Sequence, residues 1–310
     1  MAIPTLKEPL IIVAGPTASG KSDLAQQLAL ILDGEVVSAD SMQVYRGMDI
    51  GTGKVPVEER AVPHWGLDLV DPGNPYSVAL YQEYARAKIA EIDNRGKRPI
   101  LCGGTGLYIR GVIDDYAYPK GDQVDNPVRR KYTEVLNEVG PQRLWEMLRD
   151  VDAASAEILH PNDAKRVIRA FEMLAEGTTY AEQKERLQHI PQVIPAIYLA
   201  LAVDPDVLRA RIDARVDAMV ANGLVNEVRG LLDAGLREAI TAPQAIGYKE
   251  VVAALDGECS LEEAIDQVKL ATRRYAKRQR TWFRGDSRVK WIDATNPEGL
   301  LDRALAAFQA

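Results

Sequence analysis

The sequence predicts an α/β fold in which helices flank a parallel sheet, with an all-helical insertion. Three observations predict it. Short apolar strands alternate with amphipathic helices towards both ends of the chain. The first strand runs directly into a glycine-rich turn that opens a helix. Between about residues 126 and 188 the strand signal stops while helical spacing continues.

Leu10 to Val13 reads as a buried strand. Ser22 to Leu32 has helical spacing, with Leu24, Leu28 and Ile31 on one side. Glu35 to Ser38 is a second strand. Tyr81 to Asn94 is a helix closed by Gly96, and Pro99 to Cys102 is a strand entering Gly103 and Gly104. Such alternation implies right-handed crossovers. Pro127, Pro141 and Pro161 then stand near helix starts. Strands return at Ala196 to Val203 and Arg288 to Ile292, separated by helices over Asp206–Asn222, Val225–Ala234 and Leu261–Arg284. The expected division is a core over 1–120, a helical insertion over 121–194, and the rest of the core over 195–310.

The 310 residues are 46% apolar and 27% charged, enough to bury a core without disulfides or metals. Two cysteines, Cys102 and Cys259, lie far apart, and no Cys/His spacing suggests zinc. The opening MAIPTLKEPLIIVAG lacks an export signal, and no apolar run is long enough to span a bilayer. The expectation is a cytoplasmic monomer with no membrane partner. The net charge of −7 argues mildly against nucleic-acid binding, but the charge is unevenly distributed.

GPTASGKS at 15–22 fits the phosphate-loop pattern and has the required strand before it and helix after it. Gly15, Pro16, Thr17, Ala18, Ser19 and Gly20 let backbone N–H groups turn inward, at a helix N-terminus that favours anions. Lys21 adds a mobile cation. The Ser22 hydroxyl suits Mg²⁺, which commonly accompanies a diphosphate. The loop does not name a reaction, since kinases, ATPases and GTPases share it. An apolar strand ending in an acid, as simple NTPases have, is missing; Asp68 and Asp71 in LDLVD match it poorly.

Asp40 follows the second strand at the sheet edge where open α/β folds bind ligands. It reads equally as a proton acceptor for a substrate amine or as a turn residue. Further on, Lys269, Arg273, Arg274, Lys277, Arg278, Arg280 and Arg284 share one helix, with Arg288 and Lys290 beyond and no acid between Asp266 and Asp286. Trp282 and Phe283 add possible stacking faces. The alternative is a solvated helix face, but such faces commonly mix signs, so the stripe points to RNA phosphates. Lys165, Arg166 and Arg169 form a second basic cluster. His64 reads as structural, and Cys102 as a small packed side chain.

These motifs together resemble the tRNA dimethylallyltransferases, in their bacterial form. GPTASGKS at 15–22, SADSMQVYRGMDIGTGK at 38–54 and CGGTGLYI at 102–109 carry the resemblance. HPNDAKRVIRAFE at 160–172, QAIGYKE at 244–250 and AKRQRTWFR at 276–284 continue it in order. It implies transfer of a dimethylallyl group from dimethylallyl diphosphate to N6 of adenosine 37, in the anticodon stem-loop of certain tRNAs. It assigns Asp40 as general base, with Lys21 and Thr105 also in the reaction centre. The loop, together with Arg215 of RIDARV, would grip the diphosphate, with Mg²⁺ on Ser22; a surface arginine is an equal reading of Arg215. Contacts to tRNA would come from Asp40, Ser41, Met42, Gln43, Thr105 and Arg129. Lys165, Arg166, Val167, Ile168 and Arg169 would add to them, as would Gln244, Ala245, Ile246, Gly247, Tyr248 and Lys249, with Tyr248 either stacking or packing. Lys277, Arg278, Gln279, Arg280, Thr281, Trp282, Phe283 and Arg284 complete the implied surface. Two rival readings share parts of this pattern: a small-molecule kinase, which needs no basic helix, and a non-catalytic RNA-binding NTPase, which needs no Asp40.

Overall fold

A computed structural model describes residues 3–116, 126–188, 190–239 and 241–309. The chain divides into two compact units. One comprises Met1–Asp114 with Gln192–Ala310, and the other is Asp115–Pro191. The boundary expected at 120/121 lies outside the described residues.

The core begins with β1 (Leu10–Ala14), α1 (Lys21–Ile31), β2 (Gly34–Ser38) and the two-residue β3 (His64–Trp65). It continues with α2 (Val78–Asn94), β4 (Arg98–Gly103) and α3 (Gly106–Ile113). The insertion holds α4 (Pro127–Val151), α5 (Ala153–Glu157), α6 (Ala164–Ala175) and α7 (Tyr180–Gln188). The chain returns to the core as β5 (Ala196–Ala202), α8 (Pro205–Ala221), α9 (Leu224–Asp233) and α10 (Tyr248–Leu255). It closes with α11 (Leu261–Arg284), β6 (Lys290–Asp293) and α12 (Leu300–Gln309).

All six strands are parallel, in the order β3-β2-β4-β1-β5-β6. Both faces of the sheet are covered, which explains why β1 is apolar at every position. Leu10, Ile12 and Ala14 pack in one layer with Tyr81, Ile89, Ile109 and Phe283. Ile11 and Val13 pack in the other with Leu24, Leu28, Leu208 and Ile212. Four elements carry too little periodicity to be read in advance: β3, α3, α10 and α12. His64 lies in β3, its Nδ1 2.9 Å from the Val62 carbonyl.

The insertion has its own apolar core, including Leu144, Leu148, Val167 and Phe171. Its prolines sit as the sequence suggests. Pro127 is at the first turn of α4, whose N–H groups Asn126 caps. Gly140, at φ 77°, breaks α4 so that Pro141 opens its second half. Pro161 precedes α6, which Asp163 caps.

The C-terminal ends of β1, β2 and β4 are joined at one edge. The Ala39 amide donates to the Cys102 carbonyl (2.7 Å), and the Thr105 amide donates to the Ala39 carbonyl (3.1 Å). A Cβ at Gly103 would overlap the Ala39 backbone. Gly103→Ala should therefore lower unfolding stability by about 2–4 kcal/mol, because a backbone neighbour yields less readily than a side chain. Denaturant unfolding checks this.

Candidate active site

Three segments leave that sheet edge: the turn after β1, the turn after β2, and the start of α3. The first curls through Gly15 (φ 151°), Ala18 (φ 61°) and Gly20 (φ 88°). Gly20 caps α1 without a side-chain hydrogen bond, so the first amides of α1 are left for an anion. The Thr17 amide is already committed, donating to Gln279 Oε1 at 2.9 Å. Ser19 Oγ is buried and has no partner among the described residues.

A cavity of about 300 Å³ opens against this turn. Its polar end is formed by Lys21, Ser22, Asp40 and Arg215, and apolar walls come from Val216, Met219, Leu224, Ile246 and Val268. Lys21 Nζ donates to the Pro16 carbonyl at 3.3 Å. Burial depresses its pKa; Cys102 and Asp40 oppose the shift, and Arg215 adds to it. Arg215 is likewise shifted downward by burial, and its Nε lacks a partner among the described residues. The surface reading of Arg215 therefore gives way to a cavity one. Two enclosed cations with unused donors need an anion, and two phosphoryl groups supply one. A wider groove of about 960 Å³ lies on the other side of Lys21, Ser22 and Arg215.

Asp40 is a turn residue that also lines the cavity. Its Oδ1 accepts the Met42 amide at 2.9 Å, which makes a tight Asx turn. Its other oxygen has no protein partner among the described residues, and the residue lines the cavity. Thr105 Oγ1 accepts the Ser41 amide at 3.1 Å and so joins two motifs. Ser38 donates to Gln43 Oε1 (2.8 Å), and Gln43 Nε2 donates to the Thr52 carbonyl (3.2 Å). Met42 and Gln43 also line the cavity.

Ser22 lines the cavity half-buried, and its hydroxyl has no protein partner among the described residues. Among those residues no group of three or more His, Cys, Asp or Glu could hold a metal ion. One oxygen ligand of this kind fits Mg²⁺ carried in on a diphosphate, since Mg²⁺ keeps several waters and shares phosphate oxygens. Asp68 and Asp71 are engaged elsewhere. Asp68 pairs with the buried Lys54 at 2.5 Å and Asp71 with Arg46 at 3.0 Å.

The residues implied to contact RNA divide by burial. Helical segments turn every third or fourth side chain inward, so a contiguous motif cannot lie wholly on the surface. Val167 and Ile168 pack in the core of the insertion. Ala245 and Tyr248 are buried in the core unit, so of the two readings of Tyr248 packing is the one observed. Its hydroxyl donates to Glu227 Oε1 at 2.6 Å. Phe283 is fully buried and meets Tyr198 edge-on, which removes it as a stacking face. Gln279 is 5% exposed and structural: besides the Thr17 bond, its Nε2 donates to the Gly104 carbonyl at 3.0 Å.

Trp282, by contrast, is 43% exposed and presses against Gly106, where a Cβ would overlap its indole. The basic stripe is thinner than the sequence implies. Lys269 pairs with Asp217 at 2.6 Å and Arg273 with Asp213, both acids on α8. Arg288 pairs with Asp286 (2.6 Å) and Asp114 (2.5 Å). Arg274, Lys277, Arg278, Arg280 and Arg284 have no acidic partner among the described residues; Arg280 is half-buried and the other four are exposed. Thr281 donates to the Lys277 carbonyl at 3.0 Å. Gln244 and Lys249 are exposed, Ile246 is half-buried, and Lys249 lies 3.5 Å from Glu250.

Within the insertion, Arg129 Nε donates to Glu172 at 2.5 Å and Arg169 to the same carboxylate at 3.0 Å. Glu172 is fully buried and holds both arginines, and Arg169 also reaches Glu176 at 3.5 Å, so two acids balance the two cations. Arg166 pairs with Asp163, and Lys165 is exposed.

Tyr275 was not foreseen. It faces the cavity from α11 beside Thr105 and Gln279, while the Arg278 guanidinium stands 5.6 Å from its ring. Burial, followed by the Asp40 charge, pushes its phenol up to about 12, so it stays protonated. Its signal was masked by the arginines and lysines around it, although it lies four residues before Gln279 on the inward side. Burial also raises the Cys102 thiol to about 12, leaving it neutral and packed.

An IPP transferase family model matches residues 43–286. The chain is 46% identical over 295 residues to the tRNA dimethylallyltransferase of Geobacillus thermodenitrificans, covering 94% of this chain and 93% of the relative. It is 48% identical over 289 residues to that of Geobacter sulfurreducens, covering 93% and 92%. A crystal structure of the tRNA delta(2)-isopentenylpyrophosphate transferase from Staphylococcus epidermidis superposes with TM-score 0.70 at 37% identity, covering 97% of this chain and 99% of that one. A eukaryotic dimethylallyltransferase acting on tRNA superposes with TM-score 0.78 at 31% identity, covering 97% of this chain and 78% of that one.

Lys21 offers a pH test that uses inorganic diphosphate. Its pKa in the free protein lies below the ordinary 10.5, and a bound anion raises it. Affinity should fall as pH rises through the lowered free-state value and level off above the raised bound-state value. Calorimetric titration of the protein and of Lys21→Met should show this dependence in the former and its loss in the latter.

Proposed function

The chain belongs to the IPP transferase family and is an enzyme of the tRNA dimethylallyltransferase type, and from that premise we propose how its residues act. The donor is dimethylallyl diphosphate and the acceptor is N6 of adenosine 37 in tRNA. The observation that carries this reading is one cavity lined both by the diphosphate-type loop and by a carboxylate with a free oxygen.

Adenine N6 is a weak nucleophile because its lone pair is delocalised into the ring. The Asp40 oxygen left free by the Asx turn accepts the N6–H. As N6 bonds to the allyl carbon, the bond from that carbon to the diphosphate oxygen breaks and the N6 proton passes to Asp40. Positioned base catalysis of this kind is worth ~10²–10⁴-fold. Negative charge grows on the departing diphosphate, where the α1 amides, Lys21 and Arg215 meet it. Mg²⁺ bound by Ser22 and the phosphate oxygens would supply further Lewis-acid neutralisation. The apolar walls formed by Met219, Leu224 and Ile246 suit the five-carbon group and exclude water that would hydrolyse the donor.

The base lies in an RNA loop, where unstacking costs only a few kcal/mol. Trp282 offers an exposed ring beside Gly106, and the unpaired cations of α11 offer phosphate contacts. Thr105 and Ser41 form the threshold that the base crosses to reach Asp40. Arg129 and Lys165 extend the positive surface within the insertion. No described helix is long and apolar enough to cross a membrane; we place the reaction in the cytoplasm on the ground of its tRNA acceptor.

Mass spectrometry of tRNA incubated with the protein, Mg²⁺ and the donor should show the added C5 group; unmodified tRNA would refute the reaction. Asp40→Asn should reduce transfer by about 10²-fold or more while tRNA binding persists. Replacing Arg274, Lys277 and Arg284 with Gln should weaken tRNA binding and flatten its salt dependence by about two to three ions, with the donor KM unchanged. Filter binding across a salt series measures this.

A further inference from the structure

Glu227 lies on α9, outside every motif that carries the resemblance, and does not line the cavity. Its carboxylate nonetheless gathers four donors. The amides of Asp49 (3.0 Å), Ile50 (2.7 Å) and Gly51 (3.1 Å) donate to it, as does the Tyr248 hydroxyl (2.6 Å). A carboxylate offers about four acceptor sites, so Glu227 is saturated.

The segment it holds is a wall of the cavity, which Gly51, Thr52 and Gly53 line. The far end is fixed by Lys54, whose ammonium reaches the Tyr45 carbonyl (2.7 Å), Asp49 (2.6 Å) and Asp68 (2.5 Å). The 49–53 strap is thus anchored at both ends. It meets Arg215 at Gly53 (φ 62°), which lies so close to the guanidinium that a Cβ would overlap Nη2. Arg215 makes no hydrogen bond or ion pair to a protein acceptor among the described residues. Its position in the free protein is therefore set by the wall it rests on.

We propose that Glu227 is a positioning residue for the prenyl diphosphate: by clamping the 49–53 strap it places the Arg215 guanidinium beside Lys21. The proposal rests on the reading of Arg215 and the loop as the diphosphate grip.

Glu227→Gln keeps the shape but turns an amino group towards donors that need an acceptor. Its KM for dimethylallyl diphosphate should rise about tenfold, the effect of losing one charge-assisted hydrogen bond, with KM for tRNA changed less than about twofold. Gly53→Ala distorts the strap on the Arg215 side, where the neighbour is a flexible chain end, and should give a similar donor defect. Because both act through one strap, the double variant should be no more than about twofold worse than the poorer single variant. Glu35→Gln, at a buried carboxylate paired with Arg95 and Trp65, is the control: a lower unfolding midpoint with an unchanged donor KM.

A lower midpoint for Glu227→Gln with wild-type KM values overturns the proposal, as do defects that multiply in the double variant. If Glu227→Gln does not fold, Gly53→Ala carries the test, and an unchanged donor KM there overturns it. Arg215→Met separates the two layers. An unaltered donor KM in that variant sinks the diphosphate-grip reading itself, whereas a raised KM there with a normal one in Glu227→Gln sinks only the role of Glu227.

Discussion

The Gln279 amide is the joint on which the site depends. Its oxygen accepts the Thr17 amide of the phosphate-type loop, and its nitrogen donates to Gly104 at the end of β4. The Gly104 bond is buried and the Thr17 bond partly so; a buried backbone group left unmet costs about 1–3 kcal/mol. Gly104 is glycine because a Cβ there would overlap the amide nitrogen. One side chain from near the C-terminal end of α11 thereby fixes two loops that arise much earlier in the chain. Tyr275, one turn before it, joins the same inner face beside Thr105.

Around that joint two buried cations stand near one carboxylate. Lys21 and Arg215 are both driven toward lower pKa by burial. Holding two enclosed cations near each other is unfavourable without a counter-charge, and Asp40 offsets only part of it. In the proposed reaction a departing diphosphate would relieve the imbalance most as its charge grows. Preorganised cations then need little rearrangement at the moment of reaction. The same reasoning explains why Lys54 is treated differently: two acids and a carbonyl neutralise it, and it serves structure alone.

The insertion uses charge in another way. Glu172 is fully buried and is shared by Arg129 and Arg169. Arg169 also reaches Glu176, so two acids balance two cations and the buried carboxylate serves to orient both guanidinium groups. On α11 the balance is decided by the neighbour. The α8 acids Asp213 and Asp217 neutralise Arg273 and Lys269, leaving the free cations towards the C-terminal half.

The phosphate-type turn was legible in the sequence because its chemistry is local: glycines, a lysine and a hydroxyl at fixed spacing between a strand and a helix. The parallel sheet was legible because strands buried on both faces are apolar at successive positions. Asp40 was legible as a candidate but not as a choice, since a turn carboxylate and a free carboxylate share one sequence pattern. Only the fold showed one oxygen of Asp40 used and the other open. The inward turn of Gln279, Phe283 and Tyr248, the pairing of two of the seven α11 cations with α8, and the clamp at Glu227 were likewise beyond the sequence. Each depends on partners far along the chain, and no local spacing encodes which distant donor a buried side chain will meet.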